Sequence, residues 1–336
     1  MKYILNKTPI RTSNNFKIND FEIDFDMKET DFNKYEISNV EYTEQIKSNF
    51  DNKIGLKSDK YYNINVNINE DIQDIILIKY NFSFDNSYLA SQLNINLKKD
   101  TTSKIIILFE SDIESFNNSK IVIDSSNNST SDISIINLLS KDSKSFLSIE
   151  NYENENSNIN INFIDIGGNL RVSNYYCKLN QKNSINEFNN IYIGNNNDRI
   201  DMNYYIANIG ENSNSNMVIQ GCLNNNSFKT FKGTIDFIKG CSKSNGDEIE
   251  NCIMLSDTCK SSSLPMLLCN EEDVTGSHGV STGKIDENKL FYLMAKGISE
   301  KDAKKLIITA NFDNIINKII DEKIKSKVQE EINIRI

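Results

Sequence analysis

One imidazole, His278, and six thiols, Cys177, Cys222, Cys241, Cys252, Cys259 and Cys269, are the side chains from which this sequence could build a nucleophilic or metal-ligating site. No two cysteines have the CxxC spacing of a zinc or thioredoxin-like motif, so most are expected to be buried free thiols in a reducing compartment. His278 sits in a Ser-His-Gly turn inside CNEEDVTGSHGVSTGKIDENKLFYLMAKGIS, residues 269–299. It is the sole candidate base for a serine hydrolase, and no GxSxG elbow supplies the nucleophile. TGKID at 282–286 has the Gly-Lys of a phosphate loop without its spacing or following hydroxyl, so ATP is not expected to bind this chain. The glycine pair at 167–168 reads as a bend or bulge rather than a dinucleotide cradle. Acids are plentiful enough, at 47 Asp and Glu, that paired carboxylates for glycoside cleavage stay open.

The elements that must carry these residues are strands. Two prolines and thirteen glycines serve 336 residues, so turns fall largely to Asn and Asp, which tolerate left-handed backbone. Alternating β-branched runs recur as KIIILFE (104–110), SKIVID (119–124), SDISIINLL (131–139), NINFIDI (160–166), NNIYIG (189–194), RIDMNYYIANI (199–209), NMVIQG (216–221) and GTIDFI (233–238). They lie too close together for intervening helices, which makes the segment all-β. A sandwich or barrel would accommodate them. The number of runs and the NNN clusters at 195–197 and 224–226 favour a stacked parallel β-helix with Asn side chains pairing at its corners, although no strict repeat is visible.

Before residue 61 apolar residues are sparse. A loosely attached N-terminal segment (1–60) is expected, with a short helix near 43–50, ahead of strands that begin at YYNINVNI (61–68). The β core then runs over 61–283. Beyond Gly283 the period becomes 3.6: Asp286 is a good N-cap, Leu290, Phe291, Leu293 and Met294 make an apolar face, and Gly297 supplies a left-handed stop. Ser299 opens a second helix carrying Ala303, Leu306, Ile307 and Ala310, and a third is expected through Ile315, Ile316, Ile319, Ile320, Ile324 and Val328. Residues 284–336 thus form a small C-terminal helical domain.

The formal charge of −10 argues against nucleic acid as a partner. No run approaches the roughly 18 apolar residues of a membrane span, and MKYILNKTPIRTSNNF lacks the apolar core of an export signal, so a cytoplasmic protein with no membrane partner is expected. The sequons at Asn117, Asn127 and Asn128 are then accidents of composition.

Four segments, FKGTIDF (231–237), LSD (255–257), EEDVTGSHGVSTGKIDENKLFYLMAKGIS (271–299) and EKDAKKLIITANF (300–312), together resemble the SufB/SufD family of iron-sulfur cluster assembly proteins. The resemblance is strong over about 230–315, compositional over the preceding β region, and limited near the start to TPIRTSNNFKIN (8–19). It implies a right-handed parallel β-helix whose C-terminal helices dock onto a SufC-like ATPase, with the segment from Leu290 to Ile316 as the docking region. Leu290, Phe291, Tyr292, Leu293, Gly297 and Ile298 would make that contact. It also implies pairing of the β-helix with a SufB-like subunit or with a second copy of itself. The nucleotide then belongs to the partner, and the cargo is a transient iron-sulfur cluster. By the same resemblance, His278 falls on the SufD histidine implicated at the subunit interface, Cys259 on the SufB cysteine implicated in holding the nascent cluster, and Glu287 near a SufB acid proposed to assist. Thiolate, imidazole and carboxylate would together bind iron-sulfur loosely enough to release it. With a repeat near ~20 residues, Cys259 and His278 would fall on adjacent coils of one face.

Plainer uses exist for each residue. His278 could satisfy a buried carbonyl, Cys259 could be a packed thiol, and Glu287 suits the first turn of any helix. Three functions follow: a non-catalytic scaffold for cluster assembly or transfer, a structural SufD-like partner without ligands of its own, or, in another class, a β-helix carbohydrate-active enzyme.

Overall fold

The computed structural model describes residues 2–10, 18–24 and 35–336. Two stacked sheets run through it. One contains β3 (Tyr35–Ser38), β6 (Ile76–Asn81), β8 (Thr102–Glu110), β10 (Thr130–Leu138), β12 (Asn158–Asp165), β14 (Ile185–Gly194), β16 (Asn214–Leu223), β18 (Ser244–Met254) and β20 (Val274–Lys284). The other contains β4 (Tyr42–Phe50), β5 (Ser58–Ile68), β7 (Tyr88–Leu97), β9 (Phe116–Ser125), β11 (Lys144–Glu153), β13 (Leu170–Leu179), β15 (Arg199–Asn208), β17 (Phe228–Phe237) and β19 (Lys260–Cys269). From β5 onward successive strands alternate between the sheets and pair in parallel, so the chain winds as a parallel β-solenoid. Within these two sheets, and among the described residues, only β3 and β4 run antiparallel to their neighbours, where they close the first coil.

The coil length is set at a corner. Asp100, Asn128, Asn156, Asn183 and Asn212 all have positive φ, and each amide donates to the residue one coil below: Asn128 to Asp100 (2.6 Å), Asn156 to Asn128 (2.9 Å), Asn183 to Asn156 (2.9 Å), Asn212 to Asn183 (2.7 Å). A buried hydroxyl follows each one, and those of Thr101, Ser129, Ser157 and Ser184 bond the carbonyl three residues back. The expected asparagine pairing at corners is therefore present. The repeat missing from the sequence reading is this [Asp/Asn]-[Ser/Thr] step, about every 28 residues. Between corners, alternate residues such as Ile107, Ile135, Ile161 and Phe188 stack into the interior with no exposed area above 1%.

Helices α1 (Glu287–Ala295), α2 (Glu300–Ile316) and α3 (Glu322–Arg335) follow β20. Asp286 and Ser299 cap the first two, and Gly297 at φ +91° ends the turn between them, all as expected. Ile315 and Ile316 close α2 instead of opening a third helix; that helix starts after Asp321, which caps it. Here a side-chain cap overrides an uninterrupted apolar period. α2 and α3 cover the outer face of one sheet, with Ile308, Phe312, Val328 and Ile332 against Ile136, Ile164, Ile191 and Cys222.

Two expectations for the first 60 residues fail. Residues 42–50 are strand β4, paired antiparallel with β5, and not a helix. Nor is the segment at 2–10 loosely held. β1 (Lys2–Leu5) pairs with β2 (Phe21–Asp24), and Leu5 packs with Ile54 and Leu56 on Phe146 and Val172. Asn6, at φ +53°, gives its amide to Asp201 Oδ1 (2.6 Å) and Ser173 O (3.0 Å), while its carbonyl accepts from the buried Lys232 Nζ (2.9 Å). Residues 11–17 of the TPIRTSNNFKIN resemblance and residues 25–34 of the N-terminal segment lie outside the described residues.

Candidate functional site at the open end of the solenoid

Among the described residues no coil lies above the last one, β19 and β20. Parallel register fixes which side chains share a face: His278 lies directly over Glu248, Thr282 over Cys252, Ser261 over Lys229 and Ser263 over Phe231. Glu248, Glu250 and Cys252 are buried, so that alternation on β18 turns them into the solenoid. His278 shares their phase but, at the open rung, is exposed.

Cys259 is placed elsewhere. It is 3% exposed at the corner before β19, packed in the interior cluster, with its thiol 3.1 Å from Ser256 O. It therefore shares the last coil with His278 but enters the opposite sheet. The expectation of adjacent coils on one face is wrong because a coil near here spans about 30 residues, as the Ser213–Ser244 contact across one coil shows, and nineteen residues is only part of a turn. Glu287 is exposed in the first turn of α1, beyond the end of β20. The three residues do not form a cluster, and among the described residues no group of three His, Cys, Asp or Glu side chains is close enough to hold a metal ion.

Sequence reasoning missed an ionic network under His278. Lys229 and Glu250, both fully buried, form an ion pair; Lys229 Nζ also reaches Ser263 Oγ (2.8 Å), Ser263 donates to Glu250 Oε2 (2.6 Å) and the Tyr192 hydroxyl donates to Glu250 Oε1 (2.9 Å). Glu250 thus has a partner on each oxygen, as a buried charge requires. Glu248 has none on either oxygen, and burial followed by the charge of Glu250 pushes its carboxyl up to about 8. Burial also raises the Cys252 thiol, which the ammonium of Lys229 partly opposes. The Cys222 thiol is raised by burial too, with Cys252 and Cys259 as neighbours. Five of the six free thiols are buried and Cys269 is exposed, in keeping with the packed role expected for most of them. The pattern Glu-x-Glu-x-Cys on one strand was the available signal.

The segment expected to bind a partner is an exposed helix. No residue of α1 is buried; Phe291 and Tyr292 are 73% and 61% exposed, while Leu290, Leu293 and Ile298 are half-buried. Tyr292 and Leu293 line a shallow apolar groove of about 440 Å³ with Leu306, Ile307 and Ala310 of α2. Lys284 ties the end of β20 to Asp257 in the LSD turn at 2.6 Å. Among the described residues no helix is long and apolar enough to cross a membrane.

The family described as "SUF system FeS cluster assembly, SufBD core domain" matches residues 81–311. The iron-sulfur cluster assembly protein SufD of Bacillus subtilis (strain 168) is 28% identical over 131 residues, 39% of this chain and 30% of the relative. SufD of Escherichia coli (strain K12) is 26% identical over 171 residues, 51% of this chain and 40% of the relative. The matches thus span less than half the length of these two relatives. With the family match running from the early coils through the open end to α2, the chain belongs to the SufBD core family of the SUF iron-sulfur cluster assembly system.

Proposed function

We propose that this chain is a non-catalytic scaffold subunit in iron-sulfur cluster assembly or transfer, working in the cytoplasm with a SufC-like ATPase that docks on the α1–α2 groove. The carrying observation is that the family match includes an exposed imidazole at an open solenoid end and the exposed aromatic helix that follows it. An unpaired apolar groove suits a protein partner. The cluster is cargo, with His278 offering one ligand. Because the chain's described residues contain no complete ligand set, the remainder would come from a paired subunit, either SufB-like or a second copy. Anaerobic reconstitution with iron and sulfide, in the ATPase complex, is expected to give less cluster for His278→Ala and for Cys259→Ala than for wild type; equal yields in all three sink the site. For docking, Phe291→Ser with Tyr292→Ser is expected to weaken capture of the ATPase at least tenfold, the scale of losing two exposed aromatic anchors. Unchanged capture rejects the groove.

A second reading has its own support. Cys259 is buried with its thiol turned to a backbone carbonyl, an inert environment, which favours a structural SufD-like partner of a SufB scaffold. In that case Cys259→Ala leaves cluster yield unchanged, and the chain co-purifies with the ATPase only when a SufB chain is present.

A further inference from the structure

Glu248 is the anomaly of the open end. Its side chain has no exposed area, and neither carboxylate oxygen has a hydrogen-bond partner. Buried polar groups rarely remain in that condition, because each lost bond costs the full desolvation of the group. The nearby donors are already committed: Lys229 to Glu250 and Ser263, and Tyr192 and Ser263 to Glu250. Space for the carboxyl is nonetheless built in. Gly233 on the facing strand has no side chain, and a Cβ there would lie 2.1 Å from Glu248 Oε1.

One donor-bearing ring is in register with it. His278 occupies the next rung of the same ladder on the same face, and parallel rungs are about 4.8 Å apart. The acid beside Glu248, Asp247, points to the other face and accepts from Ser277 at 2.5 Å, leaving it no part in orienting the ring.

We propose that Glu248 is the positioning carboxyl of His278: it accepts one ring N–H from the rung below, fixes which nitrogen carries the proton, and turns the other nitrogen toward the open end. A carboxylate behind an imidazole is the arrangement that orients metal-ligating histidines, and the donated N–H favours the ionised form of Glu248 against the burial that otherwise raises its carboxyl. Its consequence for metal binding rests on the ligand reading of His278 given above; the orientation itself does not.

The chain's single histidine makes the test direct, since ¹⁵N-histidine labelling gives one pair of ring nitrogens. In the full-length protein at fixed pH, wild type is expected to show one fixed protonation pattern, and Glu248→Gln a pattern moved toward free histidine. Superimposable ring spectra overturn the proposal. Titration with Co²⁺ is the second measurement: Glu248→Gln is expected to bind about tenfold more weakly and to cause no further loss in a His278→Ala background. An equal loss in both backgrounds overturns positioning through His278. If His278→Ala binds Co²⁺ as wild type does, the ligand reading fails, and the nitrogen spectra alone decide the positioning. Should Glu248→Gln not fold, Glu248→Asp, which withdraws the carboxyl by one methylene, is read in the same way.

Discussion

Lys229 and Glu250 face each other across the solenoid from opposite sheets, 21 residues apart in sequence. Removing one member of such a pair leaves an uncompensated buried charge, so Lys229→Met is expected to destabilise the protein by about 3–5 kcal/mol, whereas Lys229→Met with Glu250→Leu recovers most of that loss. Urea denaturation midpoints check both. Glu153 gives a pH prediction. Burial holds its carboxyl well above the ordinary 4.5, outweighing the amides of Asn186 and Asn151 that donate to it. The folded state therefore binds this proton more tightly than the unfolded chain does. The stabilisation is complete below about pH 4.5 and is lost as pH rises toward the folded-state value. Glu153→Gln is expected to flatten that loss, measured as denaturation midpoint against pH. His278 was conspicuous in the sequence through being alone, but the groups beneath it were not. Glu248, Glu250 and Cys252 can be placed on one face by alternation, yet their partner Lys229 can be found only once the coil length is known.

At the scale of elements, the corner asparagines decide that length. Asn156→Ala loses two amide contacts and puts an alanine at φ +56°, for an expected cost of about 2 kcal/mol; Asn156→Gly keeps the backbone free and costs less. Comparing the two denaturation midpoints separates the ladder bonds from the backbone strain. The strands, helix caps and C-terminal stop were legible because each rests on local chemistry: alternation, Asp286, Ser299, Gly297. β4 was not. Its residues are exposed except for Phe50, so no buried face marks the period, and pairing with β5 makes it a strand. The N-terminal attachment was equally hidden, since Asn6 reaches Asp201 across 195 positions.

At the scale of the whole molecule, α2 and α3 do more than follow the solenoid. They cover an outward apolar stripe formed by Ile136, Ile164 and Ile191 from successive coils, with Val328 and Ile332 inserted over it. Ile332→Asp is expected to lift α3 from that stripe, lowering soluble yield and raising binding of a hydrophobic dye, while ring-nitrogen spectra of His278 stay unchanged because the open end is built from other strands. The family match covers both regions but runs out within α2, leaving α3 to be justified by packing alone.

The corner ladder also has two ends that differ in kind. Asp100 can accept an amide but has none to offer below, and the position after Asn212 is Lys243, at φ +61°, whose ammonium can donate but not accept and is turned to Glu211 at 2.9 Å. The column of amides is thus a directional polymer with a distinct terminator at each end, and its degree of polymerisation is written in two residues. A chain with one additional coil inserted between Asn156 and Asn183, carrying its own [Asn]-[Ser] corner, should wind that coil without disturbing either terminator.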